Sequence, residues 1–223
     1  MTARAGWQAW LNHLLYAFAM DQEPSGPSNF RAANLITTAG AACGLAAIVF
    51  VARGSEALAL SALMLAVLCD KLDGLVARKL KQSSDFGREL DSLADAVSFL
   101  VAPAVIVVLL SDGQALPCLM AGIFALAGLW RLAQFNLSGM VQEAEEPTFS
   151  GLPTTIAGAW FILLWAGLRH APLTEGIPWV LAVFLLAMAP LMLSSLRIRK
   201  NGLLVKSLYV LLLPTLVAAW WPI

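Results

Sequence analysis

Seven stretches of this chain stay apolar for about the length a helix needs to cross a bilayer. At ~1.5 Å of rise per residue, a hydrocarbon layer ~30 Å thick takes roughly 20 residues. The stretches lie at about 33–52, 56–80, 86–111, 114–137, 152–169, 176–196 and 203–221. In lipid every backbone N–H and C=O must be satisfied within its own segment, which selects helices. The expectation is an all-α fold, a polytopic membrane helix bundle of six to seven transmembrane helices. The last stretch is the weakest, because Lys206 and Pro214 interrupt it.

The rest of the composition agrees. With 60% apolar and only 13% charged residues, the chain has too little charge to cover a soluble globule. Its 14 basic and 14 acidic residues cancel, so it lacks the basic footprint of a nucleic-acid binder, and no nucleic-acid partner is expected. Cys43, Cys69 and Cys118 lie far apart in apolar runs, a pattern of neither disulfides nor a zinc site but of small buried hydrophobes.

Residues 1–30 read as an N-terminal interfacial segment and 31–223 as the transmembrane domain. Trp7 to Met20 mixes apolar residues with Gln8, Asn12 and His13, as an amphipathic helix lying in the membrane surface would. A Pro/Gly/Ser stretch from Glu23 to Ser28 then breaks the chain. Basic residues favour the cytoplasmic side. Arg4, Arg31, Lys79, Lys81, Arg88, Arg197, Arg199 and Lys200 all fall there if the N-terminus is inside, leaving Arg53 and Arg169 opposite.

The pattern fails in one place. DKLDGLVAR runs from Asp70 to Arg78 and GRELDSLAD from Gly87 to Asp95, on the cytoplasmic ends of the second and third spans. Ionisable groups at membrane depth are costly and point to function. Asp70 and Asp73 are three apart and Asp91 and Asp95 four apart, so each pair shares a helix face. Four converging carboxylates repel unless cations lie between them, and hard oxygen ligands suit Mg²⁺ or Mn²⁺. A two-metal site built by Asp70, Asp73, Asp91 and Asp95 is the economical reading.

Gly74 and Ala77 follow on nearly the same face as the first pair, where absent side chains let a nucleotide approach the backbone. Arg78 offers a forked donor to a phosphate, and Gly87 keeps the space above the metals open. Gly and Ala in a membrane helix are ordinarily packing residues. Asp85, Glu89, Lys79 and Lys81 read as solvated loop charges. Packing gives no such ordinary explanation for the aspartate quartet.

This segment matches D-x-x-D-G-x-x-A-R, a spacer, then G-x-x-x-D-x-x-x-D, and so resembles the CDP-alcohol phosphotransferase family at every fixed position. The resemblance implies a membrane enzyme of at least six helices, usually dimeric, opening near the cytoplasmic surface, here of a bacterial cytoplasmic (inner) membrane. It implies that Asp70, Asp73 and Asp91 hold the metals and the CDP pyrophosphate. Asp95, with Asp91 the catalytic pair, would ligate metal and act as general base. Gly74, Ala77 and Arg78 would contact the CDP moiety, with Asn34 and Thr37 on the first span.

ELDSLADAVSF followed by Ala102 and Pro103, RLAQFN from Arg131 to Asn136, and GLP from Gly151 to Pro153 look like the phosphatidylserine synthase branch, although Gln134 stands where that branch often has a second arginine. The implied partners are CDP-diacylglycerol, L-serine, membrane lipids and a second copy in a homodimer. Serine carries a carboxylate, and Arg131, a lone charge in the fourth span, is the candidate to hold it, with Asn136 nearby. Arg131 could equally snorkel to lipid phosphates. Neither His13 nor His170 suits the base role. The alternatives are another acceptor on the same site (glycerol 3-phosphate, inositol phosphate, choline), or a small cation transporter, which would scatter acids along several spans.

Overall fold

The computed structural model describes residues 31–80, 83–138, 148–171 and 176–199, together with 210, 211, 214, 215, 217 and 219–221. The expected interfacial segment at 1–30 lies outside them. Helix α1 (Ala32–Ala52) turns through 53–55 into α2 (Glu56–Lys79). Helix α3 (Asp85–Asp95) runs on through a π turn (Ala96–Val101) into α4 (Ala102–Leu110). Next come α5 (Ala115–Ser138), β1 (Thr148–Ser150), α6 (Thr154–Leu168), α7 (Ile177–Leu193) and β2 (Arg197–Arg199). The described residues from 210 to 220 are helical as well. The all-α expectation holds: the two strands are three residues each and form one antiparallel pair, Phe149 opposite Ile198.

The α1 helix, the continuous rod Asp85–Leu110 and α5 are long and apolar enough to cross a membrane. At 24 residues α2 is as long, but Asp70, Lys71 and Asp73 fall in every 18-residue window of it. The α6 and α7 helices are apolar and shorter, at 15 and 17 residues. The outer surfaces of α1, α2 and α5 carry large apolar side chains open to the surroundings, among them Leu35, Leu45, Leu65, Leu68, Leu126 and Trp130. Such a surface is stable against lipid tails and unstable against water. The chain is an integral membrane protein.

The π turn sits at the centre of the packing. Pro103 has no N–H to continue the ladder, and in a regular helix its ring would meet the carbonyl of Phe99. The widened turn just before it absorbs that conflict. It also pushes Ser98, Phe99 and Leu100 outward into notches left by glycines on three neighbours. A methyl group at Gly44 of α1 would lie 2.7 Å from the Ser98 Cα, and one at Gly158 of α6 would lie 2.7 Å from the Phe99 ring. At Gly128 of α5 it would collide with Leu100. Phe99 and Leu100 are fully buried, with Leu63, Phe124, Phe161 and Leu185 around them in the same core.

The helices alternate in direction, so the start of α1, the end of α2, the start of α3, the end of α5 and the start of α6 share one end of the bundle. The far end is tied by ion pairing and hydrogen bonds. The Arg169 Nε is 3.0 Å from Glu56 Oε2, and its Nη1 donates to the Ala219 carbonyl at 2.7 Å. Trp220 Nε1 donates to Ser61 Oγ at 3.0 Å.

Candidate active site at the charged end of the bundle

Helical spacing brings three carboxylates together. Asp70 on α2 lies near Asp91 and Asp95 on α3, and one oxygen of each lies within 4.8 Å of the other two. An octahedral Mg²⁺ with bonds of ~2.1 Å sets its ligand oxygens roughly 3–4 Å apart, so one cation accommodates this group with small adjustments. The donor set is all hard oxygen, which fits Mg²⁺ or Mn²⁺. Three acidic groups this close repel one another, and a cation between them would offset that repulsion.

Asp73 stands apart from the triad. Thr37 of α1 donates its hydroxyl hydrogen to Asp73 Oδ2 at 2.6 Å, and also lies 3.0 Å from the carbonyl oxygen of Ala33. All four aspartates nevertheless line one small crevice of about 10 Å³, walled by Gly40, Ser98 and Phe99. The expected quartet thus resolves into a compact triad and one flanking carboxylate already held by a threonine.

Above the crevice opens a cavity of about 390 Å³, and Thr37, Asp73 and Asp91 line both spaces. Asn34, Gly74, Ala77, Arg78 and Gly87 line the cavity too. Every residue expected to contact the nucleotide is there except Asp70, which lies in the crevice below. The glycines differ in what they permit. A methyl group on Gly74 would make ordinary contact with Arg78 Nη1 at 3.4 Å. On Gly87 it would press to 3.0 Å against the side-chain oxygen of Asn34 and 3.2 Å against Ser84 Oγ. Gly87 therefore lets the start of α3 close onto α1 as well as keeping the cavity open.

Ser83, Ser84 and Arg88 also line the cavity and were not among the expected nucleotide contacts. Ser84 caps α3 by accepting a hydrogen bond from the Gly87 amide at 3.1 Å. Serine just before the acidic first turn was the signal available for that. The Asp85–Arg88 pair, at 3.1 Å, is exposed and contributes little.

The fourth-span candidates separate. Arg131 on α5 is only 6% exposed, a burial that weighs against a side chain reaching out to lipid phosphates. Its guanidinium carbon lies 6.0 Å from the Phe135 ring centre, and its Nε finds no hydrogen-bond acceptor among the described residues. Asn136 lines the cavity but is already engaged: its Oδ1 accepts from Ser92 Oγ at 2.8 Å, and its Nδ2 donates to Glu89 Oε2 at 2.9 Å. Glu89 is therefore no loop charge. It sits on α3 and helps lock α3 to α5. Asp95 has a partner that sequence reasoning missed, since Thr154 at the start of α6 donates to Asp95 Oδ2 at 3.0 Å. His170 follows α6 at the opposite end, and His13 lies outside the described residues.

Fold and site together define a helical membrane enzyme whose acidic centre lies beneath a cavity at one end of the bundle. A model of the CDP-alcohol phosphatidyltransferases matches residues 30–191, well over half of the chain. The protein belongs to that family. It is similar to the CDP-diacylglycerol–serine O-phosphatidyltransferase of Bacillus subtilis, 36% identical over 132 residues, covering 58% of this chain and 72% of the relative. It is 31% identical over 167 residues to the archaetidylserine synthase of Methanothermobacter thermautotrophicus, covering 74% and 67%. With the Saccharomyces cerevisiae CDP-diacylglycerol–serine O-phosphatidyltransferase it shares 42% identity over 102 residues, covering 43% of this chain and 37% of the relative.

Proposed function

We propose that this protein transfers the phosphatidyl group of CDP-diacylglycerol to the hydroxyl of L-serine, giving phosphatidylserine and CMP. The observation that carries the reading is the triad of Asp70, Asp91 and Asp95 opening through Asp73 and Thr37 into the cavity lined by Gly74, Ala77 and Arg78. An acidic centre beside a cavity of this size, with Arg78 and Asn34 on its wall, fits a pyrophosphate linked to a nucleoside.

In this reading the cytidine and its phosphates occupy the cavity, with Arg78 at a phosphate and Asn34, Thr37 and Gly87 along its wall. Asp70, Asp91 and Asp95 would hold a divalent cation, Mg²⁺ or Mn²⁺, which when bound would offset the pyrophosphate charge and make the lipid-bearing phosphorus more electrophilic. Asp95 takes the proton from the serine hydroxyl. The serine oxygen bonds to the phosphorus carrying diacylglycerol, the bond from that phosphorus to the bridging oxygen breaks, and CMP departs with the electron pair. Asp91 holds the reacting groups in place beside Asp95.

Serine as acceptor is supported by the names of the similar proteins and by Arg131, a buried cation with an open donor, which suits a carboxylate. Asn136 helps this pocket through its grip on α3. We further propose a homodimer in a bacterial cytoplasmic membrane, the site facing the cytoplasm, and residues 1–30 lying along the interface.

The test is CMP release by detergent-purified protein given CDP-diacylglycerol and Mg²⁺ or Mn²⁺, with serine, glycerol 3-phosphate, inositol phosphate or choline offered separately. Release with serine alone, abolished by chelation, is expected. Release with another acceptor alone overturns the serine assignment, and silence with all four overturns the reaction.

A further inference from the structure

We infer that Thr154 is a positioning residue for Asp95, delivered to it by the Gly151–Leu152–Pro153 turn. The inference rests on Asp95 being the general base.

Thr154 is 1% exposed, and its hydroxyl donates to Asp95 Oδ2 at 3.0 Å from the first residue of α6. A buried hydroxyl in this position has a specific consequence. One carboxylate oxygen of Asp95 is engaged by Thr154, which restricts the rotation of the group and so fixes how the carboxylate is presented within the triad of Asp70, Asp91 and Asp95.

The backbone before Thr154 holds it in place. Gly151 adopts φ +71°, and a methyl group there would strike the carbonyl oxygen of Met192, so only glycine makes this turn. The Gly151 amide donates to the Leu196 carbonyl at 2.8 Å and the Leu152 amide to the Leu191 carbonyl at 3.0 Å, which fastens the turn to the end of α7. Pro153, with φ −59° and ψ 141°, then starts the helix on the next residue. A chain anchored at two successive residues and stiffened by a proline presents the next side chain with little freedom. The positive end of the α6 dipole meets the Asp95 carboxylate in the same place.

The same device occurs once more in the site, at Thr37 and Asp73. In each case a threonine on a neighbouring helix holds one oxygen of an acid on the α2–α3 pair.

The experiment compares Thr154→Val, which keeps the shape and deletes the hydroxyl, with Thr154→Ser, which keeps the hydroxyl, and with Asp95→Asn. For each variant kcat, both KM values and the affinity for CDP, read by calorimetry without serine, are measured. We expect Thr154→Val to lose roughly 10- to 100-fold in kcat, the scale of a misplaced reacting group, with CDP affinity and lipid KM unchanged and Thr154→Ser within about twofold of native. Native kcat in Thr154→Val overturns the inference, as does an equal loss in Thr154→Ser. Should Thr154→Val not survive purification, Thr154→Ala against Thr154→Ser carries the same comparison. Native turnover in Asp95→Asn overturns the base assignment and this inference with it. An inactive Asp95→Asn beside a fully active Thr154→Val overturns this inference alone.

Discussion

At the scale of single residues, the acids are distinguished by what touches them. Asp95 has one oxygen held by Thr154 and lies in the triad, whereas Asp73 is held by Thr37 outside it. If Asp95 is the base, as proposed, replacing it with asparagine is expected to lower turnover by roughly 10²- to 10⁴-fold. Binding of CDP-diacylglycerol should remain measurable, and a titration with the lipid beside a turnover assay checks both. Arg131 is the other residue whose surroundings speak. A cation buried to this degree with an unused Nε has a strong demand for an acceptor. Arg131→Lys keeps the charge but loses the fork, so the serine KM should rise roughly tenfold, the scale of one charge-assisted hydrogen bond of ~1.5 kcal/mol. The lipid KM should stay near native, and equal changes in both would count against a serine contact. The sequence marked Arg131 and Asn136 as neighbours in one motif. Only side-chain contacts separated a residue with an open donor from one spent on Ser92 and Glu89.

At the scale of elements, the π turn decides how α3 and α4 sit against the rest. A regular helix through Ala96–Val101 would rotate everything beyond it by part of a turn, so the registry between Asp91, Asp95 and the buried Phe99 depends on it. Gly44 and Gly158 make room for it. Gly44→Ala places a methyl group against the Ser98 backbone, which has no flexible end to yield. The expected cost is about 1–3 kcal/mol, seen as a lower Tm in detergent. Gly122→Ala, where a methyl group meets nothing within 4 Å, is the control expected to leave Tm near native. The lengths and borders of these helices were largely legible, since apolar runs end at charged or turn residues. The π turn was not. Pro103 inside a run from Asp85 to Leu110 hinted at a break, but a proline alone does not distinguish a kink from a widened turn.

At the scale of the whole molecule, the two ends of the bundle differ in chemistry. One carries the carboxylates and the cavity, and the other the Glu56–Arg169 pair with the Ala219 and Trp220 contacts. If the bundle spans the membrane as its apolar surface implies, Ser83 before α3 and Asp112 after α4 lie on opposite sides. With the native Cys43, Cys69 and Cys118 changed to alanine, Ser83→Cys and Asp112→Cys should react with an impermeant maleimide from opposite faces of sealed vesicles. Labelling of both from one face would contradict the arrangement.

What the sequence by itself determined was the class of fold, the membrane setting and the identity of the acidic centre. Each of these follows from one-dimensional patterns: the length of apolar runs, the three- and four-residue spacing of Asp70, Asp73, Asp91 and Asp95, and small residues beside them. Such patterns survive in a linear reading because a helix maps spacing directly onto a face. Only the tertiary structure decided which three aspartates converge, that Thr154 reaches Asp95 from 59 residues away, and that Asn136 is bound by α3. Those contacts depend on the rotation and approach of helices distant in sequence, which side chains from several helices set together and no local spacing records.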